Sequence, residues 1–356
     1  MRLLLTADPE LPVPPKLYGG IERIIDFLVR GLRERGHTVG LVAHEESTVQ
    51  TDAFFPWPGK QSQNRKDLVK NLGALRRAVR QFQPDLLHSF SRVAYLFPLL
   101  LSPLPKVMSY QRNPSLRTAS WGSRLSRGSL SFTGCSEYIC SIGRQGGGLW
   151  VPIHNGVELE KYTFSPVVKD DAPLVFLSRL DPVKNPVGAI HAARKAGRRL
   201  IVAGNYANSG PDREYYDTQV KPLLDKDGVE YIGPVNDEQK NKLLGEAAAM
   251  IVPIQWNEPF GIVFAEALAC GTPVISSPRG ALPEIVRQGQ EGFLVEGVEA
   301  CADAIRKLPS ISRAACRQRA ETAFAAPVIV SQYEELYKLR TSGEGQRAKE
   351  PAAARS

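Results

Sequence analysis

Apolar residues recur along the chain in two patterns. Short runs of aliphatic and β-branched residues, such as "RLLLTA" and "HTVGLVA", are separated by segments with apolar residues at helical spacing. One such segment carries apolar residues at Ile21, Ile24, Ile25, Leu28 and Leu32. Strands that alternate with helices in this way predict parallel sheets covered by helices on both faces.

The alternation occurs in two series, which predicts an α/β protein with two Rossmann-like domains. The polar segment 165–173, "SPVVKDDAP", separates the series, so we expect one domain over residues 1–168 and another over residues 169–325. Residues 326–340 are predicted to form a C-terminal helix that can return to the first domain. The Gly-, Ala- and charge-rich residues 341–356 are predicted to have no fixed structure.

The net charge of +8 lies entirely in the first half of the chain. Residues 1–165 hold 21 Lys and Arg against 13 Asp and Glu, whereas the remaining residues hold 24 of each. The predicted helix "RKDLVKNLGALRRAVRQF" places several of these basic residues together. Two interpretations stay open: a solvated polar face, or contact with an acidic or lipid-linked acceptor or an anionic membrane.

Composition excludes several classes of protein. With 43% hydrophobic and 23% charged residues, the chain is globular and not disordered. Its five cysteines form no CxxC pair, which argues against a disulfide framework and a thiolate zinc site. The opening "MRLLLTADPE" is typical of a first strand and not of a signal peptide, and no apolar run is long enough to span a bilayer. We expect a cytoplasmic protein, at most peripheral on the inner face of the membrane, and no nucleic-acid partner because RNA-type aromatic motifs are missing.

The stretch 258–286, "EPFGIVFAEALACGTPVISSPRGALPEIV", follows the buried strand "AMIVPI". It therefore leaves the carboxyl edge of a sheet, where open α/β sheets bind ligands. Backbone amides at the start of its helix would attract an anion such as a diphosphate. The residues that contribute those amides are Phe260, Gly261, Ile262 and Val263. Glu258, just before the helix, would face a hydroxyl-rich part of the ligand, and Glu266, about two turns further on, would reach a ribose diol.

Four segments resemble motifs of the family 4 glycosyltransferases. They are "PKLYGGIERIIDFLVRGLRERGH", "VPIHNGVELEKY", "FLSRLDPVKNP", and the Glu-x7-Glu pattern of Glu258 and Glu266 with the "ALACGTPVISSPRGALPEIV" that follows. The resemblance extends over about residues 1–340. It implies the GT-B fold, in which two Rossmann-like domains have parallel sheets facing across a cleft. The resemblance also implies that the first domain would bind the acceptor and the second the donor.

The resemblance also implies a reaction, namely retaining transfer of a sugar from a UDP- or GDP-linked donor without a metal or a cofactor. The acceptor would be a hydroxyl of a glycan, a lipid-linked compound or a small molecule. Arg179 and Lys184 match the Arg and Lys that hold the donor diphosphate, and Glu258 would orient the donor sugar. Two fixed cations would stabilise the charge that grows on the leaving nucleoside diphosphate. Gly19 and Gly20 match the N-terminal glycine loop, where the missing side chains let phosphates approach the backbone.

One position departs from the family pattern. Many members carry a histidine after the strand that matches "PKVMSY", close to the reacting sugar, but this chain continues with Gln111 and Arg112. Glutamine has no proton to lose, so a neutral Gln111 in that role predicts a pH–rate profile without an inflection near pH 6.5. His88, at the end of "DLLHSF", is the histidine expected near a ligand edge.

Other interpretations compete with a transferase. Asp225 and Asp227 match the Asp-x-Asp pattern of metal-dependent transferases, but "DKDG" precedes the strand "VEYIG" and predicts a turn at the amino edge. The histidines show no metal-ligand spacing, so no metal site is expected. A nucleotide-sugar epimerase of the same fold would show turnover without an acceptor. A catalytically silent nucleotide-sugar binding protein is compatible with the departure at Gln111.

Overall fold

The computed structural model describes residues 1–16 and 19–342. Two compact units make up this part of the chain. Of the described residues, 1–16, 19–155 and 326–342 belong to the N-terminal unit, and Gly156–Ala325 form the C-terminal unit. Of the segment predicted to lack fixed structure, residues 343–356 lie outside the described residues.

The N-terminal unit is built on a seven-stranded parallel sheet. Its strands are β1 (Arg2–Thr6), β2 (Thr38–Ala43), β3 (Ala53–Pro56), β4 (Leu86–Ser89), β5 (Lys106–Tyr110), β6 (Leu130–Gly134) and β7 (Trp150–Pro152), in the order β3-β2-β1-β4-β5-β6-β7. The helices between them are α1 (Gly20–Glu34), α2 (Arg65–Phe82), α3 (Val93–Leu96), α4 (Leu116–Ser126) and α5 (Glu137–Arg144).

The C-terminal unit has a six-stranded parallel sheet. Its strands are β8 (Leu174–Leu177), β9 (Leu200–Ala203), β10 (Val229–Gly233), β11 (Ala249–Val252), β12 (Val274–Ser276) and β13 (Gly292–Leu294), in the order β10-β9-β8-β11-β12-β13. The helices are α6 (Pro186–Lys195), α7 (Pro211–Tyr215), α8 (Asp237–Glu246), α9 (Ile262–Ala269), α10 (Leu282–Ile285), α11 (Val298–Arg306) and α12 (Arg313–Ala323). Two parallel-sheet α/β domains were predicted, and this fold class is confirmed.

The helices bury the apolar faces that the hydrophobic periodicity predicts. The apolar stripe of α1 turns inward, so that Ile24, Ile25, Leu28 and Leu32 are buried. α2 begins after Asn64, whose side chain accepts hydrogen bonds from two backbone amides of the first turn. Central strands such as β8 and β11 are buried on both faces and read as continuous apolar runs, as parallel strands do. The edge strands β3 and β10 alternate with exposed residues.

The boundary between the units differs from the predicted one. Residues 156–168, expected in the first domain, pack with the C-terminal unit. The amide of Val157 donates to the carbonyl of Phe324 (2.7 Å), and the Arg313 guanidinium donates to the carbonyl of Ser165 (2.6 Å). Arg313 is buried and donates also to the carbonyl of Ala247 (2.9 Å), so it holds the entering segment against the end of α8.

The last helix, α13 (Ala326–Thr341), belongs to the N-terminal unit. It packs against α1, where Val330 lies over Gly31. A side chain at Gly31 would meet Val330 at 2.8 Å, so the small residue permits close packing of the two helices. Arg35 donates to the Glu334 carboxylate across the same interface (2.8 Å).

Candidate active site

The start of α9 lies at the carboxyl edge of the C-terminal sheet. β11 ends at Val252, and the loop that follows leads to Gly261, the residue before α9. Gly261 adopts a left-handed conformation (φ 82°), and a side chain there would meet the ring of Phe264 at 2.6 Å. Gly261 has no side chain to cap the helix. The amide of Phe264 donates to the Gly261 carbonyl (3.0 Å), so the amides of Ile262 and Val263 are the first-turn donors that can meet an anionic ligand.

Glu258 lies in that loop and is nearly buried. Its carboxylate forms an ion pair with the Lys184 ammonium and accepts a hydrogen bond from Trp256 Nε1 (2.9 Å). The Lys184 nitrogen also lies 5.1 Å from the centre of the Trp256 ring, a cation–π contact. Gly280 packs against the Glu258 backbone so closely that a side chain at Gly280 would meet the Glu258 carbonyl oxygen at 2.2 Å. Both the main chain and the carboxylate of Glu258 are therefore fixed by neighbours.

Lys184 reaches Glu258 from the loop after β8. Its amide donates to Asp181 Oδ1 (3.0 Å), and the next residue, Asn185, caps α6 and donates to the carbonyl of Pro253 (3.1 Å). β8 and β11 are neighbours in the sheet, so their two loops meet at one edge. Arg179 is exposed and forms an ion pair with Asp181 (2.9 Å). Burial raises the pKa of Asp181. The structure thus brings Arg179, Lys184 and Glu258 to the same edge.

Glu266 has two partners that the sequence did not reveal. Its carboxylate accepts from the hydroxyl of Tyr162 (2.6 Å) and pairs with the Lys240 ammonium of α8 (2.6 Å). The Lys240 nitrogen lies 5.5 Å from the centre of the Tyr162 ring. Phe260 is buried against Phe324, with ring centres 5.8 Å apart, so its side chain belongs to the core and only its backbone faces the helix start. Ile262 and Val263 form the first turn of α9.

The glycine pair in the N-terminal unit has different surroundings. Gly19 precedes α1 and Gly20 is its first residue. A side chain at Gly19 would meet Glu22 Oε2 at 2.7 Å, so the glycine permits close approach of the Glu22 carboxyl. Glu22 is buried, and burial raises the pKa of its carboxyl.

His88 lies inside the N-terminal unit and not at its open edge. Its side chain is fully buried, with Nδ1 2.5 Å from the hydroxyl of Tyr337 and Nε2 2.7 Å from the hydroxyl of Ser109. Burial lowers the pKa of His88 to about 3, so the ring stays neutral at physiological pH. The structure therefore does not bring His88 together with the other candidate residues, because it serves to anchor α13.

Gln111 and Arg112 follow β5, at the carboxyl edge of the N-terminal sheet. Arg112 is exposed, and Gln111 Oε1 is buried without a hydrogen-bond partner among the described residues. Asp8, which the sequence reasoning missed, follows β1 and also has a buried oxygen, Oδ1, without a partner there. Burial and the nearby Glu10 raise the pKa of Asp8 to about 6, against the opposing effect of Arg92 and Arg112.

The Asp-x-Asp segment is a turn at the amino edge. Asp225 and Asp227 both have left-handed backbones (φ 54° and 52°), Asp225 accepts from the amide of Tyr231 (2.9 Å), and Asp227 pairs with Arg194 (3.2 Å). Among residues 1–16 and 19–342, no three His, Cys, Asp or Glu side chains come together as metal ligands would. Every helix in the same part of the chain is too short or too polar to cross a membrane.

Comparisons with known proteins match both units. Residues 18–161 match the family model described as Glycosyltransferase Family 4, and residues 160–323 match Glycosyl transferases group 1. The D-inositol 3-phosphate glycosyltransferase of Mycolicibacterium smegmatis is 33% identical over 227 residues, which are 57% of this chain and 50% of that protein. The enzyme of the same name from Mycobacterium marinum is 28% identical over 233 residues, covering 57% of this chain and 48% of that protein. The chain thus spans about half the length of these relatives.

Solved structures agree with the family models. The fold is similar to that of AviGT4, a glycosyltransferase involved in avilamycin A biosynthesis, with a TM-score of 0.73, 25% identity, and coverage of 96% of this chain and 98% of that chain. It is also similar to HepE of Anabaena in complex with UDP and glucose, with a TM-score of 0.71, 20% identity, and coverage of 94% of this chain and 99% of that chain. The resemblance of the four motifs is confirmed, and the chain belongs to the family 4 (group 1) glycosyltransferases.

Proposed function

We propose that this chain transfers a sugar from a nucleotide-sugar donor to a hydroxyl acceptor, with retention of anomeric configuration and without a metal. The observation that carries the proposal is the ion pair of Lys184 and Glu258 beside the start of α9. At one sheet edge, the cation and the backbone amides at the start of α9 can bind a diphosphate while the carboxylate binds a sugar hydroxyl.

The donor would lie along the carboxyl edge of β8 and β11. Lys184 and Arg179 hold the diphosphate, Glu258 accepts a hydrogen bond from a donor-sugar hydroxyl, and Glu266 accepts from the ribose diol. Tyr162 and Lys240 keep the Glu266 carboxylate in place for that role. HepE has been solved with UDP and with UDP-glucose, so UDP-glucose is the first donor to test and a GDP-linked sugar the second.

The transfer step needs no nucleophilic side chain. The bond between the sugar's anomeric carbon and the donor phosphate oxygen breaks, and its electron pair goes to that oxygen. The acceptor hydroxyl forms the new bond on the same face of the sugar and gives its proton to the leaving phosphate. Lys184 and Arg179 stabilise the negative charge that grows on the leaving group, which is an electrostatic contribution to catalysis.

The acceptor would bind to the N-terminal unit. The D-inositol 3-phosphate glycosyltransferases are relatives of this chain, so D-inositol 3-phosphate is one acceptor to test, beside glycans and lipid-linked compounds. The net charge of the first half favours an acidic acceptor over a basic one.

A basic face of α4 that carries an exposed aromatic residue supports contact with an anionic membrane. Trp121 is 59% exposed. Arg117 and Arg124 lie on the same face of α4 as Trp121. Aromatic side chains beside arginines suit the interface of an anionic bilayer. The wild-type protein should sediment with anionic liposomes but not with neutral ones, and Trp121→Ala should weaken this; equal sedimentation with both would argue against the contact.

A radiolabelled-donor assay tests the function. We expect sugar to appear on an acceptor, to keep its anomeric configuration by NMR, and to be transferred equally well in EDTA. Loss of activity in EDTA with recovery in Mg²⁺ or Mn²⁺ would contradict the metal-free reaction. Donor turnover without any acceptor would instead favour an epimerase, and donor binding without turnover a silent binding protein.

A further inference from the structure

We propose that the N-terminal unit carries an acceptor subsite in which Asp8 and Gln111 bind hydroxyls and Arg112, with Arg92, binds an anionic group. The ligand class is a polyol that bears a phosphate or a carboxylate. This inference rests on the proposed function, since it specifies the acceptor of the same reaction, and it concerns residues of the N-terminal unit alone.

The topology of the sheet places these residues at one edge. Asp8 follows β1, Arg92 follows β4, and Gln111 with Arg112 follows β5. β1, β4 and β5 are consecutive neighbours in the sheet, so their carboxyl ends lie within roughly 10 Å of one another. Their charges also act on each other, because Arg92 and Arg112 both lower the pKa of Asp8.

Two buried oxygens at this edge call for hydrogen-bond donors. Asp8 Oδ1 and Gln111 Oε1 are both inaccessible to solvent and have no partner among the described residues. Buried polar atoms in folded proteins are almost always hydrogen-bonded, so each unpartnered atom points to a ligand or an ordered water. A carboxylate oxygen and an amide oxygen only accept, so the matching ligand groups are donors, such as the hydroxyls of a polyol.

The two arginines supply the anion-binding part. Arg112 is exposed and makes no hydrogen bond or ion pair within residues 1–16 and 19–342. Arg92 is half-buried, and it is fixed by a hydrogen bond to the carbonyl of Ser62. Each guanidinium keeps several N–H donors, arranged as a planar fork that matches a phosphate or a carboxylate.

Nearby carboxyls restrict where the anion can lie. Asp8, Glu10 and Glu22 face the same edge and would repel it. Glu10, however, is engaged by the hydroxyl of Ser62 (2.6 Å), and Glu22 is buried beside Gly19 with its pKa raised by burial. The anionic group therefore belongs on the Arg112 side and the hydroxyls on the Asp8 side. This separation explains why one site has both acids and arginines.

Calorimetric titration with four probes tests the subsite: inositol monophosphate, glucuronate, neutral inositol and inorganic phosphate. We expect both anionic polyols to bind the wild-type protein at least about tenfold more tightly than neutral inositol. Arg112→Gln should remove that preference and leave the affinity for inositol unchanged. Asp8→Asn should weaken all three polyols. Arg33→Gln, at the opposite edge of the sheet where Arg33 pairs with Asp52, serves as the matched control.

Each outcome decides the inference. Equal affinity for neutral and anionic polyols, or an Arg112→Gln protein that keeps the preference, would overturn the anionic group. Inorganic phosphate that binds as tightly as inositol monophosphate would overturn the role of Asp8 and Gln111. UDP binding and UDP-glucose turnover are measured on the same samples. If these persist while the polyol preference is missing, the subsite fails and the proposed function stands; if the preference is present without any transfer, the proposed function fails alone.

Discussion

The two units place charged and polar side chains at equivalent edges of similar sheets, but they differ in how fully these side chains are hydrogen-bonded. In the C-terminal unit the carboxylates of Glu258 and Glu266 are paired with Lys184 and Lys240 and receive further hydrogen bonds from Trp256 and Tyr162. In the N-terminal unit Asp8 Oδ1 and Gln111 Oε1 have no hydrogen-bond partner within the described residues.

Under the proposed function, this difference separates a preorganised donor site from an acceptor site that its ligand completes. Side chains that hold each other in place are ready to stabilise charge as soon as the donor arrives, which favours catalysis. Oxygens without a hydrogen-bond partner gain most from a ligand that brings N–H or O–H groups. This favours selective binding of the sugar acceptor. Substitutions in the C-terminal unit should therefore lower turnover, and substitutions in the N-terminal unit should change acceptor affinity and pH dependence.

Lys184→Ala should have the largest effect, a fall in turnover of about 10²–10³. The substitution removes the cation that we propose meets the growing charge of the leaving group. It also leaves the buried carboxylate of Glu258 without its ion-pair partner. Initial rates and nucleoside diphosphate binding, measured side by side, check the prediction, and turnover should fall far more than affinity.

Lys240→Ala is the matched comparison for Lys184→Ala, because Lys240 is the ion-pair partner of Glu266. It should mainly weaken binding of the nucleoside diphosphate. If both lysine variants lose turnover and affinity in the same proportion, the division between a charge-stabilising pair and a ribose-binding pair is wrong.

The two glutamates should separate when each is changed to glutamine. Glu258→Gln should lower transfer by about 10- to 100-fold, the loss of one charge-assisted hydrogen bond to the sugar, and should leave nucleoside diphosphate binding nearly unchanged. Glu266→Gln should weaken that binding instead. Rates and calorimetry on both variants test the split, with the exposed Glu246→Gln on α8 as a control. If Glu258→Gln loses nucleoside diphosphate binding, the role proposed for Glu258 is wrong.

The sequence predicted the fold class because strand and helix periodicities are local properties. It also indicated that Glu258, Lys184 and Arg179 lie at the carboxyl edge of a sheet, because each belongs to a motif that follows a predicted strand. It could not indicate that Tyr162 and Lys240 hold Glu266, since these contacts join segments 104 and 26 residues away from Glu266.

The same limitation explains the misplacement of His88. A histidine at the end of a strand can point to the ligand edge or into the core, and the strand pattern does not distinguish the two. Here α13 fixes the ring in the core, because the Tyr337 hydroxyl hydrogen-bonds to His88 from 249 residues further along the chain. Asp8 was missed because a lone aspartate before a proline-rich loop has no local signature of burial.

Asp8 should give the acceptor reaction a pH dependence of its own. Burial raises the pKa of Asp8 to about 6, so the carboxylate that accepts ligand hydroxyls is present above pH 6 and is lost by protonation below it. The value of kcat/KM for the acceptor should therefore rise between pH 5 and pH 7 with a midpoint near 6. Asp8→Asn should flatten this rise and lower the value at pH 7.5 by about 10- to 100-fold.

The pKa of the neighbouring Glu22 is also raised by burial, so Glu22→Gln is the control for the Asp8 profile. If Glu22→Gln flattens the profile and Asp8→Asn does not, the titrating group is Glu22. A wild-type profile without any rise would show that Asp8 does not contact the acceptor in its charged form.

The smallest expected effect concerns Gln111, where two pH signals must be told apart. Gln111→Ala should lower transfer by only about 3- to 10-fold, the value of one neutral hydrogen bond. At saturating acceptor, kcat reports groups in the bound complex, where hydroxyls that donate to the Asp8 carboxylate lower its pKa below the value in the free protein. The wild-type kcat should therefore be flat near pH 6.5. His88 cannot introduce an inflection into the kcat profile near pH 6.5, because burial lowers the pKa of His88 to about 3. Gln111→His should be tolerated and should add an inflection near pH 6.5, the ordinary pKa of histidine. An inflection in the wild-type kcat, or full activity in Gln111→Ala, would place Gln111 outside the reacting centre.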